Sequence, residues 1–255
     1  MMKQQITAWG AACVALLMTG GLAGCGGSDG VQTPVASPTP APSVNITRGT
    51  ESTFSQSARI LAAREAARNG ATWLSAETAR LADVDLAAIR RAYPQVATIE
   101  ARPEYDLRTV LVAIPPTAPF LQNWLRGETA TGDAGIDALL TEFAPESVES
   151  VGSPIEGGTY YFTLKFGQSL NMVKLAERLR AASAVIVAAD PNRFAGDGDD
   201  IVRDDAAGKK RYIWSRGSGD CPAGCINRYS YTFEIAADGT VILVREGEEI
   251  PGGTP

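Results

Sequence analysis

Thr159-Tyr160-Tyr161-Phe162-Thr163-Leu164-Lys165-Phe166, the stripe Leu170, Val173, Leu175, Ala176 and Leu179, and the run Ala184-Val185-Ile186-Val187-Ala188 decide the fold of this 255-residue chain. In the first segment apolar side chains alternate. Tyr160, Phe162, Leu164 and Phe166 fall on one face, as in a strand with one side buried. The second segment follows Ser169, a residue type that opens helices, and its apolar residues recur at helical spacing. The third is apolar throughout and stops at Asp190-Pro191-Asn192, which reads as a buried strand.

Working outward, Gly157-Gly158 turns the chain ahead of this unit, and Ser147 to Val151 is a short alternating strand. Asp133 caps a helix carrying Ile136, Leu139, Leu140 and Phe143, preceded by a short helical insert from Pro119 to Arg126. Thr109-Val110-Leu111-Val112-Ala113-Ile114 is a nearly continuous apolar strand stopped by Pro115-Pro116. The order across about residues 108–192 is β-α-β-β-α-β, which predicts an α+β fold of the ferredoxin-like sandwich type. The strand Tyr161 to Phe166, the helix Leu175 to Leu179 and the run Val185 to Asn192 resemble the propeptide domain of subtilisin-type proteases and its free-standing inhibitor relatives. That resemblance implies a protease partner. The chain departs from the family pattern after Asn192, where it continues into another module instead of ending as an inhibitory tail.

On the N-terminal side, residues 51–106 read as a helical segment: one helix from Ser55 to Asn69, a second opened by Ser75, a third from Asp85 to Ala92, then a strand from Val96 to Ala101. On the C-terminal side, 193–210 reads as an acidic Gly/Asp linker. Residues 211–250 read as a small β module built on Tyr212-Ile213-Trp214, Tyr229 to Ile235, the hairpin signal Asp238-Gly239 and Val241 to Val244. Cys221 and Cys225 lie in its first loop and are expected to form a disulfide. The folded region proposed as ferredoxin-like is 107–192.

The first 50 residues carry a different kind of information. Lys3 precedes an apolar run from Ile6 to Met18, too short to span a bilayer and fitted to a secretory signal. Leu22-Ala23-Gly24-Cys25 then resembles the lipobox of bacterial lipoproteins. The resemblance implies removal of residues 1–24, lipidation of Cys25 and a membrane partner reached through that lipid. Gly26, in place of an aspartate, points by the same family's sorting rule to the outer membrane. Residues 25–50, with Pro34, Pro38, Pro40 and Pro42, read as a semi-rigid tether.

Composition narrows the activity. Without residues 1–24 the chain loses one basic residue, Lys3, leaving 22 basic against 29 acidic residues and a net charge of −7, which disfavours nucleic acid as a partner. There is no histidine, so Ser-His-Asp and Cys-His catalysis are excluded, and nearly all common zinc sites with them. No catalytic residue stands out. Asp197, Asp199 and Asp200 lie in an acidic run suited to calcium, although the run lacks the EF-hand pattern. Trp214, Tyr229, Tyr231 and Phe233 form either a binding surface or the core of the β module, and the core is the favoured reading. The sequence thus predicts an envelope lipoprotein with a non-catalytic binding or interaction body, whose partner is an envelope protein or a protease. The alternatives are a propeptide-like protease inhibitor and, third, a carboxylate- or calcium-dependent enzyme.

Overall fold

The computed structural model describes residues 44–248 apart from 153, 155–157 and 206–207. Cys25, the signal, most of the tether and the closing residues 249–255 lie outside the described residues. The described chain forms, in order, α1 (Gln56–Arg68), α2 (Ala76–Ala92), β1 (Tyr105–Ile114), α3 (Leu121–Leu125), α4 (Ala134–Phe143), β2 (Pro145–Ser150), β3 (Tyr160–Phe166), α5 (Met172–Ala182), β4 (Ala188–Arg193), β5 (Asp200–Asp204), β6 (Lys210–Ser218), β7 (Asn227–Ile235) and β8 (Val241–Glu248). The strands make two antiparallel four-stranded sheets, ordered β2-β3-β1-β4 and β5-β6-β7-β8.

The first sheet belongs to a central lobe. Val110, Val112 and Ile114 of β1 and Phe162, Leu164 and Phe166 of β3 point to one side, where they meet Leu175, Ala176 and Leu179 of α5 and Ile136, Leu139 and Phe143 of α4. Burying each large side chain of this set contributes about 1.5–3 kcal/mol. Trp124 of α3 closes the core, edge-on to Phe162 with ring centroids 5.2 Å apart. Asp133 caps α4 through the amides of Gly135 and Ile136, as its position predicts. Gly135 is required at a close approach, because a Cβ there would lie 2.5 Å from the Ala182 carbonyl oxygen at the end of α5.

The second sheet and the first two helices make an outer lobe assembled from both ends of the described chain. Ile60 and Leu61 of α1 and Leu86 and Ile89 of α2 share one core with Ile201, Tyr212, Trp214 and Phe233 of the sheet. The helical segment and the C-terminal strands, which read as separate pieces in the sequence, are thus halves of one hydrophobic unit. Neither half has a second apolar layer of its own, and each supplies the layer the other lacks.

Several local expectations are corrected. The second and third helices are one helix, α2, because Arg80-Leu81-Ala82-Asp83-Val84 contains neither Gly nor Pro to break it. Asp85 therefore starts no helix of its own. It is buried in mid-helix, where it accepts from the Tyr212 hydroxyl at 2.8 Å and faces the Lys210 ammonium at 3.4 Å. The run from Val96 to Ala101 is a pair of tight turns and not a strand. Bonds from Val96 to Tyr93 and from Ile99 to Val96 carry both apolar side chains into the same core at a three-residue spacing. Asn171, not Ser169, caps α5. The last strand of the central lobe begins at Ala188, so that Val187 is exposed and Pro191 lies within the strand. Pro191 is tolerated because β4 is an edge strand, where a missing N–H costs no ladder bond. The acidic linker likewise contains β5, which pairs with β6 from Asp200↔Ser215 to Asp204↔Arg211. The Asp238-Gly239 hairpin turn forms as expected, with Gly239 at φ 84°.

Candidate functional site

The two lobes meet along a seam held by polar groups. Glu51, in a short turn before α1, is 7 % exposed. Its carboxylate accepts from the Ser169 amide at 2.8 Å, from the Ser169 hydroxyl at 2.6 Å and from the Arg59 guanidinium. Asn171 works from the other side: its side chain donates to the Ala71 carbonyl at 2.8 Å and its amide to the Thr72 carbonyl at 2.9 Å. The Tyr105 hydroxyl lies 3.4 Å from the Asn171 side-chain oxygen, and burial pushes its pKa up to about 12, with the Glu104 carboxylate adding to the effect.

Trp73 crosses the seam. It bridges to Leu170 through the backbone and sets its ring 5.2 Å from that of Phe143. Arg178 of α5 stacks 4.9 Å above the same Phe143 ring and clamps Glu142 at 2.5 and 3.1 Å. The Arg178 guanidinium holds the Glu142 carboxyl below the usual carboxylate range, and the Trp73 indole also reaches this carboxylate. Trp73, Phe143, Glu142 and Arg178 therefore fix one another's orientation.

Two concavities open on the seam. A recess of mixed character, about 360 Å³, is lined by Asn45, Asn69, Trp73, Thr78 and Arg178 and by the alanines of α1 and the turn after it, among others. Elsewhere two adjoining recesses of about 250 and 240 Å³ share Ile60, Pro103, Tyr105 and Leu107 as walls. Ligand sites concentrate in concavities between packed elements, and in the first recess Arg178 of the central lobe joins residues 45–78.

The residues singled out from sequence lie away from the seam recesses. Cys221 and Cys225 are joined in a disulfide, across a turn whose Cα ends are 3.9 Å apart. Asp197 forms a bidentate pair with Arg228 at 2.8 and 2.7 Å, and that hydrogen-bonded guanidinium lowers its pKa. Asp200 pairs with Arg64 at 3.0 Å and accepts from the Arg102 amide at 2.8 Å, and Asp199 accepts from the Gly217 amide at 3.1 Å. The three aspartates are thus each taken up by arginines and amides of the chain, with Arg102 reaching both Asp197 and Asp200. Among the described residues no group of three or more His, Cys, Asp or Glu gathers as metal ligands would. The aromatic row runs from surface to core. Tyr229 is at the surface with its hydroxyl donating to Glu246 at 3.0 Å, Tyr231 is half-buried, and Phe233 and Trp214 are fully buried. The four do not make a single exposed face.

Glu51, Trp73, Asn171 and Arg178 were missed by the sequence reading. One signal was present: Trp73 is a large aromatic in a short polar helix-to-helix connection, Asn69-Gly70-Ala71-Thr72-Trp73, where a partner outside the helical pair has to cover it. The chain matches no family model, no curated protein and no solved structure.

Proposed function

We propose that this chain is a lipid-anchored protein of the bacterial cell envelope, held at the outer membrane through Cys25, whose two-lobed body binds a ligand at the seam and does not catalyse a reaction. The observation that carries the binding reading is the recess lined by Trp73 and Arg178, two side chains that Phe143 and Glu142 behind them hold in place before any ligand arrives. A wall ordered in advance spares a ligand the entropic cost of arranging it. No described helix is long and apolar enough to cross a membrane; in this reading the acyl chains on Cys25 hold the protein at the membrane.

Within this reading residues 105–193 are a ferredoxin-like unit. The strand order β2-β3-β1-β4, with α4 and α5 packed on the sheet, supports that description. The protease-inhibitor alternative needs a free segment after β4. Here Phe194 donates to the Glu104 carbonyl at 3.0 Å and the Asp197 amide to the Cys221 carbonyl at 2.8 Å, which ties that segment down and favours the binding reading.

The anchoring part is tested by growing an expressing bacterium with radiolabelled palmitate. The wild-type chain is expected to take up label and sediment with the outer membrane, and Cys25→Ser to do neither. An unlabelled, freely soluble wild-type chain refutes it.

A further inference from the structure

The geometry points to a neutral saccharide as the ligand of the Trp73 recess, an inference that rests on the binding reading above and names its ligand class. Charge decides first. The recess holds one carboxylate, Glu65, and one guanidinium, Arg178. Glu65 is occupied by Arg68 and Asn69, and Arg178 by Glu142. No net charge is left to attract a phosphate or a cation, since either would have to break an existing pair.

What remains unspent is neutral and polar. Among the described residues the Asn45 carboxamide and the Thr78 hydroxyl line the recess without a hydrogen-bond partner, and both residues are half-buried. A carboxamide offers two donors and an acceptor, and a hydroxyl offers one of each kind. Groups of this type discriminate ligands that carry hydroxyls and amides from ligands that lack them. Trp73, with Ala62, Ala66 and Ala71, supplies the apolar part of the wall, and an aromatic side chain suits the C–H face of a pyranose ring. A purely apolar ligand would leave Asn45 and Thr78 desolvated and unpaired, which costs affinity. At about 360 Å³ the recess is of the size that takes a small ligand.

The test uses the mature chain from residue 25 with Cys25→Ser, titrated with triacetylchitotriose and with maltotriose and followed by tryptophan fluorescence. Trp124 and Trp214 are buried, so a change on binding reports Trp73. Calcium chloride and inorganic phosphate serve as controls. The expected result is saturable binding of a trisaccharide, with affinity about tenfold weaker in Asn45→Ala and in Thr78→Val, as for loss of one hydrogen bond. Both substitutions leave the seam contacts in place, so melting temperatures are expected to stay unchanged.

Saturation by neither trisaccharide, or binding indifferent to both substitutions, overturns the inference. A second arm separates this failure from failure of the binding reading. Thr78→p-benzoylphenylalanine is photo-crosslinked in cells. An adduct with a non-saccharide envelope component, together with no trisaccharide binding, leaves the binding reading standing and removes the saccharide. No adduct and no trisaccharide binding remove both.

Discussion

Replacing Glu51 by alanine removes the acceptor for three donors at once. In the wild type the Ser169 amide at 2.8 Å, the Ser169 hydroxyl at 2.6 Å and the Arg59 guanidinium all end on this carboxylate. The carboxylate side chain is 10 % exposed and that of Arg59 23 %, so water reaches the vacated position poorly. A buried pair broken on one side costs about 3–5 kcal/mol, and an abandoned donor about 1–3 kcal/mol. These overlap, because the guanidinium is partly able to turn to solvent, and about 3–5 kcal/mol is the expected total. For a body of this size each kcal/mol lowers the melting temperature by about 2–4 °C, so Glu51→Ala should melt roughly 6–20 °C below wild type. Because Glu51 joins a turn of the outer lobe to Ser169 of the central lobe, the damage should concentrate at the seam. Differential scanning calorimetry is expected to show a lower and broader transition. Amide exchange is expected to speed up at Ser169 and Asn171 before it does in β1 and β3. Glu51→Gln keeps one acceptor oxygen and should lie between the two. An alanine variant within 1 kcal/mol of wild type, or one whose exchange rises uniformly, would refute the idea that this carboxylate latches the lobes.

Two further outcomes follow from the same structure. Replacing both Cys221 and Cys225 by serine, in the Cys25→Ser chain, should cost about 2 kcal/mol in urea denaturation, because so short a loop constrains the unfolded chain only modestly; no change at all would count against the cross-link's stabilising role. Tyr105, with its pKa raised from 10.0 to about 12 by burial, should ionise well above the ordinary tyrosine range, and Tyr212, pushed up further by burial and by Asp85, later still. Since the folded-state value exceeds the unfolded one, its contribution to stability is complete below about pH 10 and disappears as pH climbs toward 12, and Tyr105→Phe should flatten that decline in thermal scans. Ionisation of Tyr105 near pH 10 in a difference-absorbance titration would contradict this.

The central lobe was largely legible because its signals are local. Phe162, Leu164 and Phe166 alternate, Asp133 stands where a cap belongs, and Pro115-Pro116 ends a strand. The errors arose where tertiary contacts outweighed local preference. Val185 to Val187 looks like strand, yet only Ile186 of these three is buried, and the ladder forms one step later around Pro191 at a sheet edge. Val96 and Ile99 have strand-like neighbours but are drawn into the outer core by turns. Apart from Trp73, a large aromatic in a polar connection, the seam left no mark in the sequence. Glu51 and Ser169 are 118 residues apart, and nothing in the spacing of a single chain links a glutamate in a turn to a serine before a helix. The acidic run misled for a related reason: Asp197, Asp199 and Asp200 are consecutive in composition but turn to different sides, each toward an arginine or amide supplied by another element.

The outer lobe closes through residues such as Asp85 and Tyr212, which are 127 positions apart. A chain made from its N-terminus presents α1 and α2 long before the strands that cover them exist. Their apolar faces have to wait while the whole central lobe, a continuous stretch whose strands all pair within it, is synthesised and is able to fold first. The last strands then act as a completion signal. A chain truncated before β5 lacks Ile201, Tyr212, Trp214 and Phe233 and keeps Ile60, Leu86 and Ile89 uncovered, so quality-control proteases would find incomplete copies by their N-terminal half and leave finished ones alone.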